Sequence, residues 1–549
     1  MLKVIPLGGL GEIGCNMMAI QDDNYILVVD AGIMFPDDYM PGVDLVIPDF
    51  QYLRENRDRV KAIILTHGHE DHIGAMPFLL KEICVPVFGT SFTLELLKEK
   101  LKEHHLPKPP DLLKVRPGDA TQLGPFKVEY IGVNHSIVDG VGLAIETDEG
   151  TIIHSGDFKI DSTPVDSQFT DLGRFAHFGE KGVLALFSDS TNAEKEGFTL
   201  SEREVSRTLE DLFRACQGRL ILASFASNMT RIQQVVNLAV QFGRKVVFNG
   251  KSMLTNINIA KQEGFINIPE DVEISESQIN QFPDRHITVI TTGSQGEPMS
   301  ALTRMAQGHH KRITIKPADT VILSSRFIPG NEKAITSTIN NLYRLGAEVV
   351  YEKVSEIHTS GHAKREELKL MLNLVKPRFF IPIHGEYRHL VKHAQLALET
   401  GMDKDRVIVA EDGKIISFEN QELRMKGDVH TGRIFVDGKG VGDVEEMVLR
   451  DRRRLSGHGM VVVLLVLGED TAERVYGPEI ISRGFVFEDE TGSILEDAKC
   501  IVLEVLDELD PSSPIEWTGV EMDIRRRLKR FFQSVIERRP LIIPVIIPV

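Results

Sequence analysis

Thr66-His67-Gly68-His69-Glu70-Asp71-His72 follows the apolar run Ala62-Ile63-Ile64-Leu65, and its reading governs the rest of the chain. The apolar run has the length and composition of a buried strand. It delivers three histidines and the Asp71 carboxylate onto one short loop. Imidazole nitrogen and carboxylate oxygen suit zinc, and also manganese or iron. His67 and His69 lie two residues apart, so one turn of loop aims both at one ion, whereas Asp71 and His72 begin the next turn and point elsewhere. Four such groups in six positions exceed what one tetrahedral ion takes while keeping a place open for water, so the spacing points to two adjacent metals. The alternative is a solvated histidine-rich loop. A bare H-x-H pair would be weak evidence against it; H-x-H-x-D-H behind a strand is strong.

The chain has 549 residues, a formal charge of −17 and 42% hydrophobic residues. At ~150 residues each, that is material for roughly three domains. A chain this long buries a large core unaided, so metals would serve chemistry rather than folding. Cys15, Cys84, Cys216 and Cys500 are scattered with no C-x-x-C pair, which fits a reducing compartment and no disulfide framework. Met1-Leu2-Lys3-Val4-Ile5 leads straight into a strand with no signal peptide, and the apolar run Met460 to Leu467 is far too short to span a bilayer. The expectation is a cytoplasmic enzyme with no membrane partner. The acidic balance argues weakly against a nucleic-acid substrate, yet a local basic groove can act within an acidic whole.

Gly9-Leu10-Gly11-Glu12-Ile13-Gly14 matches the dinucleotide pattern G-x-G-x-x-G, with Asp30 downstream. That fingerprint has to open a helix. Here Met17 to Ile20, a Gln21-Asp22-Asp23-Asn24 turn and Tyr25 to Val29 read as a hairpin. The glycines then mark a tight turn near the site, and Asp30-Ala31-Gly32 ends the second strand at the same rim. Strands and helices continue to about Glu146. Asn134-His135-Ser136 closes the run Val128 to Val133, Thr151 to His154 runs into Ser155-Gly156-Asp157, and Ala185-Leu186-Phe187 runs into Ser188-Asp189-Ser190-Thr191-Asn192. Each puts a His or Asp just past a strand end, where an α/β sandwich gathers its site. Singly each reads as a turn or a cap; their repetition points to function.

The pattern changes near residue 197. Thr199 and Glu202 read as a capping box, and Val205, Leu209, Leu212, Phe213 and Cys216 recur at helical spacing. Strand-helix alternation, with strands at 220–222, 245–248, 287–290, 321–323 and 349–351, predicts a parallel α/β domain of roughly 150 residues. Then come Ser360-Gly361-His362-Ala363, a helix from Lys364 to Leu374, and a strand from Arg378 ending in Ile383-His384-Gly385-Glu386. The chain thus returns to its first domain, and the α/β domain is an insert. The boundaries read as 1–196 and 356–425 for the first domain, 197–355 for the insert, 426–454 for a turn-rich linker and 455–549 for a small C-terminal α/β unit. There Arg525-Arg526-Arg527-Leu528-Lys529-Arg530-Phe531-Phe532 reads as a solvated helix packing its apolar stripe, ahead of direct RNA contact.

The histidine loop, His135, Asp157 and His384 together resemble the metallo-β-lactamase fold, with Thr66 to His72 as its signature loop. Asp189, His362 and His384 fall where the β-CASP branch of that superfamily carries its motifs A, B and C. Pro6 to Gly14, Ser188 to Asn192 and Ile383-His384-Gly385-Glu386-Tyr387 look like the ribonuclease J family, and the resemblance covers nearly the whole chain. A histidine at the third motif is typical of the RNA-cleaving branch. The resemblance implies an α/β fold: a metallo-β-lactamase αββα sandwich with an inserted parallel α/β β-CASP domain and a small C-terminal α/β domain. It implies that His67, His69 and His135 hold one metal, that Asp71, His72 and His384 hold the second, and that Asp157 bridges both. The implied cofactor is two zinc ions per chain, with manganese or magnesium as alternatives. The implied partners are RNA, further copies of the chain in a homodimer or higher homo-oligomer, and other RNA-decay proteins.

Phosphodiester hydrolysis needs a nucleophile at neutral pH, neutralised phosphoryl oxygens and a proton for the leaving alkoxide. Two metals ~3.5–4 Å apart supply the first two. His362 is not needed as a ligand; it is expected to polarise the scissile phosphate or protonate the leaving oxygen, with Asp189 fixing its tautomer. A helix cap is the alternative. Relatives in this branch also remove nucleotides 5′→3′ from 5′-monophosphate ends in RNA processing and decay, so a terminal-phosphate pocket is expected. Ser227-Asn228 precedes a helix with the stripe Ile232, Val235, Val236 and Ala239. Ser360-Gly361, beside His362, precedes another, and helix starts bind anions; ordinary N-caps are the alternative. The expected activity is that of a zinc-dependent ribonuclease, both endonucleolytic and 5′→3′ exonucleolytic. One rival is a small-molecule metallohydrolase of the same fold, such as a lactamase or thioesterase, which needs no covering insert. The other is an RNA-binding scaffold without metals, which needs no complete ligand set.

Overall fold

The computed structural model describes residues 1–37, 39–297, 299–325, 327, 331–352, 357–438, 440–442, 444, 446–468, 474–485, 492–509 and 516–549. They divide into two compact units, Met1–Phe35 with Val46–Ile434, and Pro36–Leu45 with Phe435–Val549.

The first unit is built on two facing sheets. One has eight strands in the order Glu422–Asp428, Lys414–Glu419, Leu2–Gly8, Met17–Asp22, Tyr25–Val29, Val60–Ile64, Val87–Gly89 and Leu112–Lys114. The other has six, in the order Phe379–Ile383, Ala185–Asp189, Gly150–His154, Val141–Thr147, Phe126–Gly132 and Ala120–Leu123. Alternate residues of a strand point to one face. Val4, Ile20, Leu27 and Ile64 of the first sheet therefore share one core with Val128, Leu143, Ile152, Phe187 and Ile381 of the second. The helices Leu172–Lys181, Arg365–Val375 and Tyr387–Glu399 cover the outer face of the six-stranded sheet through Phe175, Phe178, Leu368, Met371 and Leu396. Met17–Asp22 and Tyr25–Val29 form an antiparallel hairpin, so the glycine run before them opens no helix and the dinucleotide reading falls. A Cβ on Gly9, whose φ is +93°, would stand 2.4 Å from Asn16 Oδ1, so this turn stays bare to let Asn16 pack across it.

The chain leaves the six-stranded sheet after Asp189 and returns at Phe379, which pairs in parallel with Ala185, leaving Asp189 opposite Ile383. The excursion holds a five-stranded parallel sheet in the order Lys245–Asn249, Ile287–Thr291, Leu220–Ala223, Thr320–Leu323 and Glu348–Tyr351, on the five predicted stretches. Helices Glu202–Ala215, Met229–Gln241 and Lys251–Gln262 cover one face, and Ala301–Ala306 and Glu332–Arg344 the other. The strand order reverses between Leu220–Ala223 and Thr320–Leu323. Loops at the carboxyl ends of such a pair frame the crevice where open α/β sheets take ligands.

Buried charges fasten the insert to the sandwich. Glu202 meets Arg231 Nη2 of the insert at 2.7 Å and Lys159 Nζ of the sandwich at 3.4 Å. Arg231 also donates to Ile357 O at 2.6 Å and to Ser324 Oγ. Glu367, on the return helix, accepts the N–H groups of Ile160 (2.7 Å), Thr199 (2.7 Å) and Lys364 (2.9 Å) and the Thr199 hydroxyl (2.6 Å). The capping box expected of Thr199 and Glu202 therefore does not form. Ser201 caps the helix by accepting from Arg203 N–H, while Thr199 turns to Glu367 and Glu202 to Arg231. A buried guanidinium left unpaired costs more than a missing cap, so the tertiary partner wins. The expected boundary at 355/356 lies outside the described residues.

The second unit has a three-stranded sheet in the order Arg474–Arg483, Met460–Leu467 and Leu541–Pro548. The helices Gly492–Asp507 and Trp517–Ile536 pack on it around Val461, Val463, Leu465, Ile524, Leu528 and Phe532. This unit also takes in residues assigned above to a linker: Glu446–His458 is a helix with Leu449 buried.

Burial raises the pKa of Glu202, but Arg231 and Lys159 outweigh it and bring the value down to about 2. A depressed carboxyl pKa contributes stability above the unfolded value of ~4.3, and that contribution is lost as pH falls toward ~2. Glu202→Gln is expected to lower the unfolding free energy at pH 7 by about 3 kcal/mol. In urea denaturation the deficit should shrink between pH ~4.5 and ~2. A deficit that ignores pH would mean the carboxylate charge is not the fastener.

Candidate metal centre

Six strand ends from the two sheets converge on one cleft. His67, His69, Asp71 and His72 follow Val60–Ile64, and Asp30 follows Tyr25–Val29. His135 follows Phe126–Gly132, Asp157 follows Gly150–His154, Asp189 ends Ala185–Asp189 and His384 follows Phe379–Ile383. His67, His69 and His135 form one candidate ligand group, and Asp71, His72, Asp157 and His384 a second; within each group the candidate atoms all lie within 4.8 Å of one another. His69 Nδ1 stands 3.1 Å from both His67 Nε2 and His135 Nε2. Nitrogens bound at ~2.0–2.1 Å to a tetrahedral ion are ~3.3 Å apart, so this trio fits one cation. Asp157 Oδ2 faces both groups: it lies 3.2 Å from His72 Nε2, 3.4 Å from His384 Nε2, 3.7 Å from His67 Nε2 and 3.8 Å from His135 Nε2.

Four of the five rings are held by the nitrogen that points away from the centre. His72 Nδ1 bonds Asp30 Oδ2 at 2.8 Å, His384 Nδ1 bonds Asn16 Oδ1 at 2.8 Å, His135 Nδ1 bonds Gly361 O at 2.7 Å, and His67 Nδ1 bonds Thr66 Oγ1 at 3.1 Å. Each of these oxygens can accept, so each outer nitrogen carries the proton and each inner one keeps its lone pair for a cation. Burial, reinforced by neighbouring rings, pushes the pKa values of His67 and His135 well below the usual imidazole value. Burial takes His69 down to about 4. At His72 burial also disfavours charge, but Asp157, Asp71 and Asp30 outweigh it and raise its pKa well above the usual value. The second group is thus the more cation-seeking half. The donor set fits a divalent metal centre.

Two supporting residues had no assigned role in the sequence reading. Asp30 accepts the Thr66 N–H, the Thr66 hydroxyl and His72 Nδ1, all at 2.8 Å. Its position just past a strand end was the available signal. Asn16 holds His384 and donates to Asp71 O at 3.0 Å. Nothing local marks it, because its partners come from distant segments.

His362 Nδ1 lies 2.8 Å from Asp189 Oδ2, while Asp189 Oδ1 accepts the Thr191 N–H at 2.9 Å and its hydroxyl at 2.8 Å. Burial opposes charge on His362, but Asp189 and then Asp157 and Asp71 raise its pKa to about 9. Its side chain remains 20% exposed, so the other ring nitrogen can meet a ligand from solvent. His362 is no helix cap, because the following helix starts at Arg365. For the same reason Ser360-Gly361 is not a helix start, contrary to expectation. Ser360 Oγ accepts from Asn192 Nδ2 (2.7 Å) and His362 N–H (3.2 Å), and so keeps its own proton to donate. A Cβ on Gly361 would come within 2.6 Å of the His135 ring. Ser227-Asn228 does open the Met229–Gln241 helix, with Asn228 Oδ1 accepting from Arg231 N–H at 2.9 Å. Ser227 Oγ and Asn228 Nδ2 make no hydrogen bond among the described residues.

Comparison with known proteins gives consistent likenesses. Residues 10–187 match the metallo-beta-lactamase superfamily, 217–342 the ribonuclease J beta-CASP domain, 346–409 the Zn-dependent metallo-hydrolase RNA specificity domain, and 447–549 the ribonuclease J C-terminal domain. The chain is 43% identical to ribonuclease J2 of Bacillus subtilis over 548 residues, covering 100% of this chain and 99% of that protein. It is 42% identical to ribonuclease J of Thermus thermophilus over 554 residues, covering 100% and 95% respectively. Among solved structures, a protein of unknown function from Enterococcus faecalis shares the fold with a TM-score of 0.54 at 15% identity, covering 76% of this chain and 99% of that one.

Partners behind a metal ligand typically hold 10–100-fold of the affinity. Asp30→Ala frees His72 to turn and is expected to weaken divalent-ion binding by about that factor while the chain stays folded, read by competition with a chromophoric chelator. Unchanged affinity would show that the His72 ring is oriented by its neighbours alone.

Proposed function

The chain belongs to the ribonuclease J family, and from that premise we propose that it is a two-zinc enzyme of RNA processing and decay in the cytoplasm, cutting RNA internally and also 5′→3′ from 5′-monophosphate ends. The observation that carries this reading is the single oxygen Asp157 Oδ2, within 3.8 Å of four imidazole nitrogens drawn from both ligand groups. An oxygen so placed suits a bridge between two ions. Donor sets rich in imidazole favour zinc over magnesium. Two cations held there would neutralise charge on the phosphoryl oxygens and supply a nucleophile at neutral pH.

The chain's own residues handle the leaving group. Asp189 anchors His362 through Nδ1 and favours its charged form, which leaves Nε2 as the donor facing solvent. As the oxygen of water joins phosphorus and its proton passes to solvent, the P–O3′ bond breaks and Nε2 gives its proton to the departing alkoxide; His362 then regains a proton from solvent. The products are a 5′-phosphate and a 3′-hydroxyl. Ser227, Asn228, Ser360, Gly361 and His362 form the phosphate subsite: the free Ser360 proton, Ser227 Oγ and Asn228 Nδ2 are its donors, the last two at the point where the insert's strand order reverses. The reading assigns 1–196 and 356–425 to the sandwich, 197–355 to the insert and 455–549 to the C-terminal domain, whose compact unit also takes in the Glu446–His458 helix from the expected linker 426–454. Four free cysteines support a reducing compartment. A homodimer is supported by the second unit's sheet, where Val462, Leu464 and Val466 stand opposite Ile543, Val545 and Ile547 on the face away from its buried core. A small-molecule hydrolase would need no inserted domain over the cleft.

Incubation of 5′-monophosphorylated and 5′-triphosphorylated RNA, with and without chelator, tests the reading by product size. Chelator should abolish all cleavage, mononucleotides should come from the monophosphorylated RNA, and internal fragments from both. Equal mononucleotide release from the two ends would remove the phosphate subsite; absence of RNA cleavage with zinc or manganese supplied would remove the reading.

His362→Ala is expected to lose ~10²–10⁴ in turnover with metal content unchanged. Adding Asp189→Asn should cost little more, because residues acting as one unit are not additive. Reduced metal content in His362→Ala would make His362 a ligand instead.

A further inference from the structure

The Trp517–Ile536 helix buries Val520, Ile524, Leu528 and Phe532, a ladder repeating every fourth residue. Arg526, Lys529, Arg530 and Gln533 recur at i, i+3, i+4 and i+7, so they share another face, where the three cations are exposed. With Arg539 they line a groove of about 340 Å³. Arg539 Nε donates to Gln533 Oε1, which ties that guanidinium across the groove. Asp523 pairs with Arg526, and Arg527 is drawn off to Glu508 of the preceding helix. Lys529 and Arg530 meet no carboxylate among the described residues. Residues 517–549 carry seven Lys and Arg against three Asp and Glu, in a chain with 63 against 80 overall. A local excess of positive charge within an acidic chain is the footprint of a polyanion contact.

We propose that this groove is a second contact for the phosphodiester backbone of single-stranded RNA, engaged by substrate chain that extends beyond the cleft. The inference rests on RNA being the substrate. Among the described residues no aromatic side chain lines the groove, so these residues offer no platform for stacking bases. Its donors are guanidinium and ammonium groups, which hold phosphates without reading sequence. Their spacing of ~5–6 Å along the helix face presents a row of charge rather than one anion site. The expected result is tighter holding of long RNA with no preference for sequence.

The test uses the full chain in chelator, binding a long unstructured RNA and an oligonucleotide short enough to lie within the cleft, by fluorescence anisotropy at ~50–200 mM salt. Each phosphate contact on a single strand contributes ~0.7 to the slope of log affinity against log salt. The triple variant Arg526→Gln, Lys529→Gln, Arg530→Gln should therefore flatten the slope for long RNA by about 2. Binding and, with metal restored, cleavage of the short oligonucleotide should be unchanged. Neutralising Lys98, Lys102 and Lys251, an equal charge change elsewhere, should leave the slope for long RNA as it is. Equal flattening by that control, an equal loss on both RNA lengths, or an unchanged slope beside intact cleavage would each overturn the groove. The last outcome would fit a face reserved for an acidic protein. A wild-type chain that neither binds nor cuts RNA would overturn the ribonuclease reading itself.

Discussion

The parallel pairing of Ala185–Asp189 with Phe379–Ile383 joins two stretches separated by the whole insert, and the cleft depends on its register. With Asp189 opposite Ile383, His384 emerges one residue beyond the strand. Its carbonyl takes the Ser190 N–H at 3.2 Å and the Thr191 hydroxyl at 3.3 Å, which binds the two strand ends together. A slip of one residue would turn every side chain of the strand to the opposite face. Ile381 and Phe380 are buried on opposite faces, so either slip would also misplace a large apolar group. The packing of the sandwich thereby sets the distance from Asp189 to the cluster of His and Asp side chains.

Around that register the cluster is held from outside. Asn16, Asp30, Thr66 and the Gly361 carbonyl grip rings that would otherwise be free to turn. They come from the glycine turn, the first hairpin, the histidine loop and the return segment. Pulling any one segment out of place therefore tilts at least one ring. The insert belongs to the same arrangement: Glu367 binds Ile160, Thr199 and Lys364 together just behind His362. This is a preorganised site, in which supporting groups hold the geometry before a substrate arrives.

Much of this could be read along the sequence, for identifiable reasons. The loop from His67 to His72 announces itself because its ligands are close in sequence and follow an apolar strand. The five strands of the insert could be read because parallel strands buried on both faces are continuous apolar runs. What escaped was set by distant partners. Asn16 is 368 residues from His384, and only the folded chain brings them together. Thr199 and Glu202 have the spacing of a cap, yet buried ionic partners claimed both side chains. Ser360-Gly361 resembled a helix start, but the helix begins later, and the pair instead serves His135 and Asn192. Residues 446–454 fell in the turn-rich stretch read as linker, yet they open the Glu446–His458 helix, which buries Leu449.

Two of the residues in this centre sit in backbone conformations that L-amino acids avoid: Asp30 has φ +60° and His384 φ +53°. Left-handed geometry at such positions typically stores ~1–3 kcal/mol, which the surrounding contacts hold in place. Glycine would adopt either conformation without strain. Glycine at 384 would therefore relax the backbone while removing an imidazole from the candidate metal centre. For a lineage released from selection on catalysis, decay at this position meets less resistance from folding than decay in the core. Local stability and the chemistry of an imidazole therefore pull in opposite directions at position 384.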